Sequence, residues 1–160
     1  MSPSRARPAA GIVRDQQQVR AIVAGSMSKQ QLVVVSGTSH QVLLRLATVC
    51  FPYVRTTQRG KWYGQAKEYG EWQVTWKERI RSAMATKGVI PLPGAVPLWC
   101  SVTFCCVGKY HRSDLDNQVK SMLDLCQGVV FAGGDSWIDR IVADRLPCEE
   151  NRIDISFGRI

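Results

Sequence analysis

From Gln41 onward the chain carries readable periodicity. Val42, Leu44 and Leu46 alternate with Gln41, Leu43 and Arg45, which predicts a strand ending near Phe51-Pro52. Tyr69, Trp72, Trp76, Ile80 and Ala83 follow at steps of three and four, which predicts an amphipathic helix closing near Lys87-Gly88. A connector, Pro91-Leu92-Pro93-Gly94 with Pro97, leads to Leu98–Val107, an apolar run rich in β-branched and aromatic residues that reads as a strand stopped by Gly108. A second helix is expected from about Gln118 to Gln127, with Val119, Met122, Leu123 and Cys126 as its buried stripe. After Val129-Val130-Phe131, the turn Ala132-Gly133-Gly134 delivers Asp135. Ile138–Leu146 and Arg152–Phe157 then read as two closing strands joined through Pro147 to Asn151. The order strand, helix, strand, helix, strand, strand predicts a small mixed β-sheet with two helices, an α+β fold.

Residues 1–40 break this regularity. Ser, Gln, Arg and Ala dominate, as in Ser2-Pro3-Ser4-Arg5-Ala6-Arg7-Pro8 and Gln16-Gln17-Gln18, and the one apolar run is Leu32 to Val35. The stretch is expected to be a largely disordered N-terminal extension, with Met27 a candidate start, and residues 41–160 to be the folded domain. A length of 160 residues suits one domain with a core of its own.

Charge then narrows the partners. Twenty-one Lys and Arg oppose thirteen Asp and Glu, a net charge of +8 with a pI near 9.5, which favours a polyanion. The excess is basic over residues 1–90, whereas residues 91–160 hold seven basic and nine acidic residues. A coat for DNA has little use for an acidic patch. A protein that cuts DNA uses carboxylates to hold metal beside a basic surface that holds phosphate.

Six cysteines occur with no C-x-x-C pair, and the histidines are His40 and His111, so zinc is not expected. No secretory leader pattern and no apolar run of about 18 residues is present, so the expectation is a cytoplasmic protein with reduced core thiols.

The most informative stretch is His111-Arg112-Ser113-Asp114-Leu115-Asp116-Asn117-Gln118-Val119-Lys120. If extended, Asp114 and Asp116 share a face with Cα atoms roughly 6.6 Å apart, a spacing that suits two carboxylates converging on a hard divalent cation. Asp116 or Asn117 as a plain helix cap is the alternative. Lys120 lies four residues after Asp116 and four before Asp124, placed either for an ordinary helical ion pair or to polarise a phosphate. Asp135, after two glycines, is the third acid that the chain can fold back beside Asp114. Carboxylates around magnesium near a basic surface are what phosphodiester hydrolysis needs.

These residues carry a resemblance. Asp114-Leu115-Asp116-Asn117 followed by Lys120, then Asp124, and later Asp135 with Ile138, resembles the D-L-D-N-x-x-K and D-x-x-[IV] segments of the RusA family of Holliday junction resolvases. The likeness covers about residues 42–160 and is specific from Arg112 to Arg145. It implies a RusA-like α+β domain forming a symmetric homodimer, which resolves four-way DNA junctions by paired nicks with magnesium, or manganese in its place. It assigns metal binding and catalysis to Asp114, Asp116 and Asp135, with Lys120 as the essential lysine. Arg55, Arg59, Lys61, Lys109, Arg112 and Arg145 become expected DNA contacts, Arg145 standing at the basic position ten after the third aspartate. Many relatives have a second acid directly before the third aspartate; here it is Gly134, with Asp139 as a candidate substitute. A nuclease of the same fold acting on flaps, and a non-catalytic dimeric junction-binding protein, are the competing expectations.

Overall fold

The computed structural model describes residues 33–54, 63–108 and 113–160. They form a small mixed α+β domain of one five-stranded sheet and two helices. The elements are β1 (Val33–Gly37), β2 (Gln41–Leu46), α1 (Tyr63–Lys87), β3 (Leu98–Cys106), α2 (Leu115–Cys126), β4 (Ile138–Pro147) and β5 (Arg152–Arg159). β4 is preceded by a short 3-10 turn at Asp135–Trp137.

The sheet order is β1-β2-β5-β3-β4. All neighbours are antiparallel except β3 and β4, which run parallel with α2 between them in sequence. The two closing strands are therefore not a hairpin pair. β5 crosses to the middle of the sheet and β4 takes the edge. Side chains account for this exchange: Ile153, Ile155, Ser156, Phe157 and Gly158 are all buried, so β5 is covered on both faces, whereas β4 is studded with Asp139, Arg140, Asp144 and Arg145.

β1 is the second departure. Val33–Gly37 pairs with β2 from Val33 opposite Leu46 to Gly37 opposite Val42, so the sheet begins within the stretch expected to be an extension. Val33 to Val35 of the apolar run begin this strand, with Val33 and Val35 buried, and Leu32 lies outside the described residues.

Register builds the core in rows across the sheet. Val33, Leu46, Ile153, Phe104 and Arg145 form one row; Val35, Leu44, Ile155, Val102 and Ala143 form the next; Val42, Phe157, Cys100 and Ile141 form the third. Apolar side chains fill these rows until the edge, where Arg145 closes the first. Trp76, Ile80 and Met84 of α1 and Val119, Met122 and Leu123 of α2 belong to the same core cluster. α1 ends where Gly88 takes φ 63° and the N–H groups of Gly88 and Val89 return to the carbonyls of Ala85 (3.1 Å) and Met84 (2.9 Å). Glycine enters this left-handed position without the steric cost that a Cβ adds.

On the opposite face Arg45 meets Asp154 at 2.6 Å, and Arg152 joins Asp154 (3.1 Å) to Glu150 (3.2 Å). No described helix is long and apolar enough to cross a membrane.

Candidate active site

α2 begins at Leu115, three residues earlier than its apolar stripe predicts. Asp114 is the N-cap residue, with extended backbone (φ −63°, ψ 145°), and its carbonyl accepts the Gln118 N–H at 3.2 Å. Asp116 therefore sits in the first helical turn and not on a strand beside Asp114. The alternating Asp-Leu-Asp pattern is overridden by helix initiation, which favours acids at the positive end of the helix dipole. Asp114 caps without its side chain. Both carboxylates are exposed, and among the described residues neither has a hydrogen-bond or ion-pair partner.

One turn further along, Lys120 joins two acids. Its Nζ lies 3.0 Å from Asp124 Oδ1 and 3.4 Å from Asp135 Oδ2, and 5.5 Å above the Tyr53 ring. The helical ion pair expected as the ordinary role of Lys120 thus exists, and the same ammonium reaches Asp135 as well. The hydrogen bond to Asp124 is the main reason the Lys120 pKa is raised, with Asp135 adding to it against the opposing effect of partial burial. Asp124 is held from its other side by Tyr69, whose hydroxyl donates at 3.4 Å, and burial lifts the pKa of that hydroxyl so that it remains a donor.

Asp135 reaches Lys120 because its loop is clamped. Leu92 N–H donates to Val130 O (2.8 Å) and Ala132 N–H to Leu92 O (3.0 Å), so the proline-rich connector holds the buried run Val129-Val130-Phe131 in place. The connector backbone at Gly94 lies against Gly133, where a Cβ would stand 3.4 Å from Gly94 Cα and 3.1 Å from Trp137. The turn at Gly133-Gly134 then releases Asp135 into its 3-10 turn.

Arg145 is turned toward the protein. Its guanidinium donates to Ser113 O (2.6 Å) and Gln118 Oε1 (3.0 Å), while Gln118 Nε2 donates to Ser113 Oγ (3.0 Å). This planar fork ties the residue before Asp114 to the first turn of α2. The segment leaving β2 is tied to the same helix. Tyr53 N–H donates to Asn117 O (3.1 Å) and Ser121 Oγ to Phe51 O (2.6 Å). Residues 55–62, with Arg55, Arg59 and Lys61, follow this anchored segment in sequence. Those three, and Lys109, His111 and Arg112, lie outside the described residues.

The structure thus brings Lys120 and Asp135 together with Asp124, and leaves Asp114 and Asp116 at the start of the helix. Tyr53, Tyr69, Gln118 and Ser121 also shape the site. Their sequence signal was weak, because a lone aromatic or amide between apolar residues looks the same in any core. The donors suit magnesium, a hard cation that prefers oxygen. Among the described residues, however, no three His, Cys, Asp or Glu side chains group closely enough to hold a metal ion. The fit is therefore one of donor chemistry and not of a closed cage. Asp139, the candidate substitute for an acid at position 134, is exposed on β4. In comparisons with known proteins, no protein-family model and no curated sequence matches the chain, so what this site does must be argued from its own geometry.

Proposed function

We propose that the chain is a magnesium-dependent endonuclease that acts on branched DNA, with the four-way junction as its preferred substrate and a symmetric homodimer as its working form. The observation that carries the reading is the cluster on α2: two uncommitted carboxylates, Asp114 and Asp116, followed by an ammonium that joins Asp124 and Asp135. The net charge of +8 supports a polyanionic substrate. Magnesium is commonly held by one or two carboxylates with substrate phosphate completing the shell, so an open arrangement of acids is compatible with it. When bound, the ion supplies charge neutralisation at the phosphoryl group and an acidified water.

The protein's own contributions follow from position. Asp114 and Asp116 are the oxygen donors nearest the N-terminus of α2, where the exposed end of the helix also favours a phosphate. Asp135, 3.4 Å from the Lys120 ammonium, would be the third oxygen donor. Lys120, an ammonium held between Asp124 and Asp135, would stabilise developing negative charge without a proton transfer. Arg145 fixes the loop from which Asp114 projects. Of the basic residues expected to contact DNA, Lys109 and Arg112 precede Asp114 in sequence and Arg55, Arg59 and Lys61 follow Tyr53, whose N–H donates to Asn117 O of α2.

The lack of a three-residue metal cluster among the described residues favours a second reading, a non-catalytic dimer that binds junctions. One experiment separates them. An end-labelled four-way junction, a matched duplex and a flap are incubated with the protein, with magnesium or EDTA, beside Asp116→Asn. Paired symmetric nicks in the junction, abolished by EDTA and by the variant, are the expected result. Tight binding with no nick at any magnesium concentration overturns the nuclease reading for the second one, and equal cutting of the flap widens the substrate to branched DNA in general.

A further inference from the structure

We propose that the free edge of β4 is the surface on which a second copy of this chain docks, antiparallel and centred on Val142, joining two sheets into one. This deepens the symmetric reading above by naming its interface, and it can fail separately.

β4 is an edge strand of ten residues, paired on one side to β3 only. Its other side presents a row of backbone N–H and C=O groups with no strand partner among the described residues. Such an edge is normally shortened, bulged away or guarded by charge or proline; the one irregularity of β4 falls at Asp139, where the pairing with β3 steps from Leu98–Ile138 to Trp99–Arg140, and from Arg140 onward the strand pairs without a shift. Here it is long, and its only proline, Pro147, closes it. Apolar side chains lie exposed along it: Trp137 just before the strand at 39%, Ile141 at 45% and Leu146 at 37%.

Its charges alternate in a way that a guard does not need. Reading the unshifted run Arg140-Ile141-Val142-Ala143-Asp144 against itself antiparallel about Val142 sets Arg140 opposite Asp144 and Ile141 opposite Ala143. Every opposed pair is apolar with apolar or acid with base. Sliding the register by one residue in one direction sets Arg140 against Arg145, and in the other Asp139 against Asp144. The sequence thus selects one register, with the two-fold axis at Val142 that an isologous dimer requires.

The geometry agrees on which pairs are available. Arg140 and Asp144 lie on the face of the sheet away from the helices, beside Trp99 and Thr103 of β3. Both are exposed and have no ion-pair partner among the described residues. Directly opposed residues of an antiparallel pair point to the same face, so each meets its opposite without rearrangement. Arg145 is already engaged with Ser113 and Gln118, so Arg140–Asp144 carries the test.

The test is sedimentation velocity of the full chain without DNA or metal. It compares the wild type with Arg140→Asp, Asp144→Arg, the double exchange Arg140→Asp/Asp144→Arg, and an equimolar mixture of the two single variants. Each single exchange turns two attractive cross-strand pairs into two repulsive ones, which is expected to weaken self-association by at least about tenfold. The double exchange restores both pairs, and so does the mixture as a heterodimer. Circular dichroism confirms that each variant is folded. A wild type that is monomeric at tens of micromolar overturns the proposal. So do single variants that dimerise like the wild type, and a folded double exchange or mixture that fails to recover. Asp116→Asn is expected to remain dimeric here, so a dimer that binds but does not cut rejects the nuclease reading and leaves the interface standing.

Discussion

Lys120 shows how a single side chain can be read two ways and serve both. Its bond to Asp124 is an i,i+4 helical pair, of the kind that spacing alone predicts, but its reach to Asp135 depends on a turn that no local pattern specifies. The Lys120 pKa is raised from an ordinary value of 10.5. A raised value in the folded state means that its stabilisation is fully present below the unfolded value and is lost as pH rises through the folded one. Lys120→Gln is therefore expected to lower the melting temperature near neutral pH, with the difference from wild type closing in the alkaline range above 10.5, as read from melting curves across pH. Arg145 gives a sharper test, because its expected role at DNA and its observed role inside the protein make opposite demands. Arg145→Lys keeps the charge but loses the fork that binds Ser113 and buried Gln118, and is expected to cost about 1–3 kcal/mol in urea unfolding. Arg145→Gln, which removes the charge, is expected to leave the salt dependence of DNA binding unchanged, because the guanidinium is spent inside the protein; a shallower salt slope would return Arg145 to the DNA contacts. The sequence singled out Asp114, Asp116, Lys120 and Asp135 by motif; the structure brings Lys120 and Asp135 together and leaves Asp114 and Asp116 at the start of α2. Arg145 was legible as a position but not as a role, since nothing local shows which way a guanidinium turns.

At the level of elements, the helices and β3 were readable from periodicity, while the start of α2 was not. Asp114-Leu115-Asp116-Asn117 alternates like a strand, and only the Asp114 carbonyl accepting from Gln118 reveals that the helix has begun. β1 was obscured for a different reason: five residues between polar neighbours offer too short a run to outweigh the composition around them. The placement of β5 between β2 and β3 was beyond local pattern altogether, because strand pairing is a long-range choice made by burial on two faces. Two substitutions test the elements that carry the site. Phe131 is fully buried and packs on Phe157 at 5.0 Å between ring centroids, and it anchors the segment that delivers Asp135. Phe131→Ala is expected to cost about 3–5 kcal/mol in chemical denaturation and, on the proposed nuclease reading, to slow junction cleavage in whatever fraction stays folded. Gly158 lies under Trp99, where a Cβ would fall 2.5 Å from the indole. Gly158→Ala is expected to destabilise by about 1–3 kcal/mol, and Trp99→Ala made together with it should recover part of the clash, measurable as a non-additive double-mutant cycle.

For the molecule as a whole, the six cysteines report how completely one core is closed. Cys50, Cys100, Cys105, Cys106 and Cys126 are buried and Cys148 is partly exposed, all as free thiols. Burial pushes the pKa of Cys50 and Cys100 up to about 12 and that of Cys126 well above its ordinary value, so thiolate is scarce where access is also poor. Native-state labelling at mildly alkaline pH is expected to modify Cys148 first, with the other five following only on unfolding, as counted by intact mass; two or more fast thiols would show a looser core than the register rows imply.

The central position of β5 also sets when the protein can become a protein at all. β5 follows every other strand in sequence, yet it supplies the pairing that joins β1-β2 to β3-β4. A chain still emerging from a ribosome carries two half-sheets with open inner edges and no way to close them, and any interruption of synthesis before Arg152 leaves both as templates for stray pairing. The acids of the candidate site lie upstream of that point, so on the proposed nuclease reading they would stay unassembled until β5 slides between β2 and β3, and translation itself sets the earliest moment at which the site is complete.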